Sequence, residues 1–486
     1  MIAIFRNKPV VIVLILAILV SSVFIINKPV VAADFKDLNQ CADYARPAVE
    51  RLAQSGIISG YDGYFYPEQT VTRAQMITLI VKSLGLDNIS PEHTDTFKDV
   101  PSNHWANKYV EIASQYGITG GVAPDEFGVD QTCTREQMVT LFVNTFKWLD
   151  EEFTDTSFGL IDLTKYTDEA QISSWARNSI SFSVYTGLIS GTSATTIGPK
   201  TGAERQQVAV LIDNFMGRKD NILQDMQAQR ILGKTILEQV KGQGISNTGD
   251  LDIKLTLPQI GSDLPGEINI KAHVINEMVW SDMLHQSVSA DITGLPIDGY
   301  SKLDAEQYFV DGVLYQKIPD KNNQPSWVRT SSSEVPALGN LMQIIENAQR
   351  SKLLLPDEIH QSGQVKVEDE IVNGTNGHKI SYEGQITNVS GLLDKILTAA
   401  LSAGVDTGKF ENMLDRIKQS VKSISFSETF YVGEDNLIYG SDLSITIDTN
   451  NSNDLPIQNI VLTISTDNYK YQDISIVLPA EAQETP

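Results

Sequence analysis

Two periodicities divide the chain. Up to about residue 216 apolar residues fall at helical spacing, and from Leu251 onward they fall at every second position. Tyr44, Ala48, Leu52 and Ala53, with Val49 beside them, predict one buried helix face, which Gly56 should end in the left-handed conformation. Met76-Ile77-Thr78-Leu79-Ile80, Met138-Val139-Thr140-Leu141-Phe142 and Val208-Ala209-Val210-Leu211-Ile212 predict three further helices. Asp220 to Val240 is again helical in pattern and reads as a connector or as the first helix of a new domain. Beyond it, Leu251/Ile253/Leu255/Leu257, Ile268/Ile270/Ala272/Val274 and Val288/Ala290/Ile292 alternate with polar residues, as strands with one buried face do. Asp311-Gly312 between Gln307–Val310 and Val313–Lys317 is a two-residue hairpin signal, and an Asn-Gly turn separates Val365–Val372 from His378–Tyr382. Two amphipathic helices, around 392–401 and 410–421, precede four more strand candidates: Ile424–Val432, Leu437–Ile447, Ile457–Ser465 and Ile474–Leu478. Long antiparallel strands with a few helices indicate an α+β domain.

The three apolar helix runs follow three similar tetrapeptides: Thr72-Arg73-Ala74-Gln75, Thr134-Arg135-Glu136-Gln137 and Glu204-Arg205-Gln206-Gln207. They recur every roughly 60–70 residues, the mark of an internal repeat. Upstream of each lies an aromatic-led segment ending in glycine: Tyr44-Ala45 to Gly56, Trp105-Ala106 to Gly117, Trp175-Ala176 to Gly187. Phe35-Lys36-Asp37-Leu38, Phe97-Lys98-Asp99-Val100 and, more loosely, Tyr166-Thr167-Asp168 stand ahead of these. Together the landmarks resemble the S-layer homology domain, over residues 34–216. The third copy departs most, and the first has Tyr44 where the pattern has Trp.

Thr72 with Gln75, and Thr134 with Gln137, have the spacing of capping boxes. Arg73, Arg135 and Arg205 therefore open helices, where the dipole is already positive and a cation is disfavoured. Either each pairs with a carboxylate of a neighbouring unit (Asp37, Asp99 or Asp168), or an external anion meets the guanidinium together with free helix amides. The resemblance favours the second reading. It implies a pseudo-threefold, all-α arrangement with a three-helix-bundle core. It also implies glycan-binding grooves served by Arg73, Arg135, Arg205, Thr72, Thr134, Gln75 and Gln137. The ligand it implies is an acidic secondary cell-wall polysaccharide or modified peptidoglycan. Trp105 and Trp175 read as bundle core.

Composition narrows the rest. A formal net charge of −24 over 486 residues, with no basic stripe, argues against nucleic acid as a partner. Arg6 and Lys8 before an apolar run to Ile26, with Val31-Ala32-Ala33 after it, read as a secretory signal at 1–33 or an uncleaved anchor. Cys41 and Cys133 sit at non-equivalent places in different repeats and are either bridged or buried thiols. Gly233-Lys234-Thr235 lies in a helical context with Ala228 where a phosphate loop needs glycine, so no nucleotide cofactor is expected. The six histidines form no metal pair, and Glu368 with Glu370 reads as a solvated strand face rather than a glycosidase dyad.

The expected organisation is a signal (1–33), three repeats (34–90, 91–150, 151–216), a connecting helix (217–249) and an α+β domain (250–486) whose sheet could curve into a half-barrel. Residues 217–480 weakly resemble the lipoprotein-carrier half-barrel class, through the Tyr308–Tyr315 hairpin, Trp327 and the stretch from Tyr471 to Pro479. That resemblance implies room for an apolar ligand, against which a filled core weighs more. The function expected is non-enzymatic: a secreted surface protein held noncovalently to wall glycan, with a lipid carrier as the alternative and an anchored glycan hydrolase behind it.

Overall fold

A computed structural model of the chain describes residues 35–153, 163–241, 244–257, 266–279, 283–294, 301–319, 325–331, 363–391, 418–450, 457–472 and 474–484. The signal-like segment and the amphipathic stretches at 392–401 and 410–417 lie outside them. Two compact units divide the chain, one ending at Met226 and the other resuming at Gln227.

In the first unit each repeat contributes a short helix, a turn-rich loop and a second helix. The helices are α1 (Arg46–Gln54), α2 (Arg73–Ser83), α3 (Asn107–Gln115), α4 (Arg135–Leu149), α5 (Arg177–Tyr185) and α6 (Arg205–Lys241). Gly56, Gly117 and Gly187 follow the short helices with φ of 73°, 68° and 67°, a conformation that costs only glycine nothing. Both capping boxes form. Thr72 Oγ1 accepts from the Gln75 amide at 3.3 Å while Gln75 Oε1 accepts from the Thr72 amide at 3.0 Å. Thr134 and Gln137 repeat this at 3.4 and 3.0 Å. Phe142, Phe146, Phe182 and Phe215, all fully buried, bring rings from α4, α5 and α6 into one core, with centroids 5.3–5.5 Å apart.

Tyr44, Trp105 and Trp175 are not in that core. They are 63%, 57% and 54% exposed. The helices begin after them, at Arg46, Asn107 and Arg177, so these aromatics stand in the preceding turns and share no helix face with the buried positions.

The repeats close on one another in a ring. The Val71 amide donates to the Ala203 carbonyl (2.9 Å), the Ala203 amide to Cys133 (2.8 Å) and the Cys133 amide to Val71 (2.9 Å). The residues just before these are Thr70, Thr132 and Gly202, and a Cβ on Gly202 would come within 2.7 Å of Thr70 Cγ2 and 3.1 Å of Thr132 Cγ2. The small residue thus lets the third repeat join the ring. Gly202→Thr is expected to cost about 1–3 kcal/mol by overpacking, read as a lower urea midpoint with an unchanged slope.

Cys41 and Cys133 are free and buried. Burial, only partly offset by the charge of Arg73, pushes the Cys133 thiol up to about 12. The third repeat's arginine helix does not stop near Met216. It runs unbroken to Lys241, because Gly217 is tolerated within it and strong helix formers follow.

The second unit is one open antiparallel sheet. Its strands are β1 (Gly244–Thr256), β2 (Glu267–Val279), β3 (Met283–Thr293), β4 (Lys302–Val310), β5 (Val313–Pro319), β6 (Pro325–Ser331), β7 (Gln364–Val372), β8 (Thr375–Ile386), β9 (Val421–Gly433), β10 (Ile438–Thr449) and β11 (Asn459–Tyr471). Their order is β6-β5-β4-β3-β2-β1-β11-β10-β9-β8-β7, so two meanders meet where β1 pairs with β11. Both hairpin turns have the positive φ that the sequence signals require: Asp311-Gly312 at 51° and 76°, Asn373-Gly374 at 50° and 82°. Leu251, Ile253, Ala272, Ile380, Tyr382, Ile424, Phe426, Ile445 and Leu462 form the core of this unit, with Ala228 of α6 buried against them. On the same face a ladder of amide side chains crosses five strands, Asn247–Asn276–Gln286–Gln307–Gln316, with bonds of 2.8–3.3 Å. The strand expected at Ile474–Leu478 does not form: the segment is irregular and passes β1 at Gly244, where Ile474 packs against the glycine.

Candidate functional site

The Phe-x-Asp aspartates do not pair with the arginines. Each pins its own repeat's loop. Asp37 accepts from the Phe65 and Tyr66 amides at 2.7 Å each. Asp99 accepts from Phe127, Gly128 and Val129 at 2.8, 2.7 and 3.0 Å. Asp168 accepts from Ile197 and Gly198 at 2.9 and 2.7 Å. Burial would raise the Asp99 carboxyl, but its three amide donors outweigh that and hold it below the ordinary value.

The pinned loops then present carbonyls to the arginine of another repeat. Arg73 Nε donates to Phe127 O (2.9 Å), Arg135 Nη2 to Ser190 O (2.7 Å), and Arg205 Nε and Nη2 to Phe65 O (2.6 Å) and Ser59 O (2.9 Å). Arg73 and Arg205 also lie over the rings of Phe127 and Phe65, at 4.9 and 4.8 Å. Burial lowers the pKa of all three arginines, yet a guanidinium stays charged at any working pH. None has a carboxylate within ion-pair distance among the described residues.

The helix amides expected to be free are also taken. Arg73 N donates to Gln131 O, Arg135 N to Thr201 O and Arg205 N to Gln69 O, each at 2.9 Å. Thr72, Gln75, Thr134 and Gln137 are all engaged as caps, Gln75 through its Oε1. What the sequence treats as three equivalent grips is therefore first an interlocking device. Arg73 and Arg135 are only 4% and 7% exposed, whereas Arg205 is half-buried.

Arg205, the most accessible of the three, lines open clefts. Two clefts, of about 230 and 430 Å³, share Ser59, Gln75 and Arg205. One continues to Lys82 and Trp105, the other to Tyr61 and Tyr66. Trp105, Tyr61 and Tyr66 are 57%, 72% and 40% exposed. Exposed aromatic faces beside an unpaired guanidinium offer both halves of a carbohydrate contact: a flat amphipathic surface and a charge-assisted donor. Of the residues expected from sequence, Arg205 and Gln75 come together here. Trp105, Tyr61, Tyr66 and Lys82 were missed, and the signal available was the repeated aromatic lying just outside each helix.

In the second unit, Glu368 bonds Lys366 Nζ at 2.5 Å. That bond holds its carboxyl below the ordinary range, the opposite of what a general acid needs. His273 and His285 lie on adjacent strands but out of register, bonded to Asp250 (2.9 Å) and Glu277 (2.8 Å).

Residues 34–77, 96–139 and 165–209 each match the S-layer homology domain. The chain is 29% identical over 193 residues to the Surface-layer 125 kDa protein of Lysinibacillus sphaericus, covering 39% of this chain and 15% of that protein. It is 28% identical over 200 residues to Exoglucanase XynX of Acetivibrio thermocellus, covering 41% of this chain and 17% of that enzyme. It thus spans about a sixth of the length of these relatives. Among solved structures it is similar to LprF from Mycobacterium bovis, at 14% identity and a TM-score of 0.25, over 52% of this chain and 97% of that one. A likeness of that size carries no conclusion about a ligand.

Proposed function

From the premise that the chain carries three S-layer homology domains, we propose that it is a secreted surface protein held noncovalently to an acidic cell-wall glycan by its first unit, with the sheet unit as the part displayed. The observation that carries this reading is Arg205: a charged, half-buried guanidinium without a carboxylate partner among the described residues, lying in an open cleft beside Trp105, Tyr61 and Tyr66. A surface-layer protein and an exoglucanase that each share only such a portion with this chain support a common anchoring module rather than a common chemistry. The glycan is a secondary polysaccharide or modified peptidoglycan with negative groups. Local cations must overcome the repulsion set by the chain's net charge of −24.

A charge-assisted hydrogen bond is worth on the order of 1.5–3 kcal/mol. Arg205→Ala in the full chain should therefore weaken cosedimentation with sacculi, purified from the cells that make the protein, by roughly ten- to a hundredfold. Unchanged pelleting of a folded Arg205→Ala variant would defeat the assignment.

A further inference from the structure

The three repeats differ at one position that faces the Arg205 cleft. Lys82, Asn144 and Asn214 occupy the same place on α2, α4 and α6, counted from the arginine that opens each helix. Asn144 Nδ2 donates to Ile118 O at 3.1 Å and Asn214 Nδ2 to Leu188 O at 3.0 Å. Ile118 and Leu188 directly follow the glycines that end the short helices, as Ile57 does in the first repeat. Each asparagine thus bolts its helix to its own loop. In the first repeat the bolt is replaced by a half-buried lysine whose ammonium makes no ion pair or hydrogen bond to any described residue. Lys82 instead lines the same cleft as Arg205, Trp105 and Ile57.

We infer that Lys82 is a specificity determinant of the groove between the first and third repeats, a second cation beside Arg205 that the sister positions, with Asn144 and Asn214 tied to their own loops, do not supply. This rests on the reading of wall attachment above and deepens it. A cleft with Lys82 and Arg205 at two points along it selects a sugar polymer carrying more than one negative group within a single cleft, over a polymer with an isolated terminal charge. The ammonium acts as a mobile point charge and the guanidinium as a fixed fork.

The test uses the full chain with Lys82→Asn, Lys82→Arg and Arg205→Ala, each sedimented with sacculi from the producing cells across a series of salt concentrations. Asparagine is the residue of the two sister repeats, so the fold accommodates it. Lys82→Asn should bind roughly tenfold more weakly and lose part of its salt dependence, because one screened attraction is gone. Lys82→Arg should keep both. A lysine that serves only the negative end of its helix would instead leave affinity and salt response as in the parent. That result with Lys82→Asn, alongside loss of binding by Arg205→Ala, overturns the role of Lys82 and leaves anchoring through Arg205 standing. Undiminished binding by both variants overturns both.

Discussion

Asp99→Ala should loosen the loop of the second repeat by about 3 kcal/mol, seen as roughly a hundredfold faster amide exchange at Phe127, Gly128 and Val129. The reasoning is local. One carboxylate accepts all three amides. A bond to a charged acceptor is worth about 1.5–3 kcal/mol, and three bonds to one group are not additive. Removing the carboxylate also unseats the Phe127 carbonyl that receives Arg73, whose guanidinium would be left buried with fewer acceptors. Asp99→Asn should fall between the two, since its amide oxygen can still accept. The pH dependence has a definite sign. The folded carboxyl titrates below its unfolded value, so its contribution is fully present above about pH 4 and is lost as the pH falls through the folded value. Relative to the intrinsic exchange rate at each pH, the parent should lose protection of these amides in that acid window, and the protection left in Asp99→Ala should not change there.

Phe146→Ala should destabilise the first unit by about 3–5 kcal/mol, the usual cost of emptying an aromatic site in a core that cannot collapse. Phe146 is fully buried and its ring meets Phe153, Phe182 and Phe215, at centroid distances of 6.4, 5.4 and 5.5 Å. Two of these contacts are edge-on, the geometry aromatic pairs prefer. The check is urea unfolding of the full chain. The transition of this unit should move to lower urea while that of the sheet unit stays in place. A shift under 1 kcal/mol would mean that the cavity refills from Phe153 and Phe182.

What could be read from the sequence was local. The capping boxes, the helix-ending glycines and the Asp-Gly turn depend on residues a few positions apart, and each took the form expected. The strands of the sheet were legible because alternation survives wherever one face is buried. Ile474–Leu478 has the alternation yet pairs with neither open edge of the sheet, β6 or β7, and alternation alone does not say whether a segment reaches a partner. The aromatics Tyr44, Trp105 and Trp175 have core-like spacing but lie outside the helices, which start at Arg46, Asn107 and Arg177. The arginines have neither the aspartate partners nor the free helix amides between which the sequence left the choice open. The partners of Arg73, Arg135 and Arg205 are backbone carbonyls 54, 55 and 140 residues away, and carbonyls leave no trace in a sequence. The lysine in the open cleft stands where two sister repeats have asparagine, a difference visible in the repeats but without meaning until the bonds to Ile118 and Leu188 are seen.

The circular bonding among Val71, Cys133 and Ala203 bears on how the chain is made. Synthesis delivers the first repeat long before Ala203, whose carbonyl the Val71 amide needs, so an emerging first or second repeat leaves the ribosome with unmet backbone groups. Two finished repeats can already form the Cys133–Val71 bond and seat Arg73 on the Phe127 carbonyl, but the Val71 amide waits for the third, and only then does the ring close.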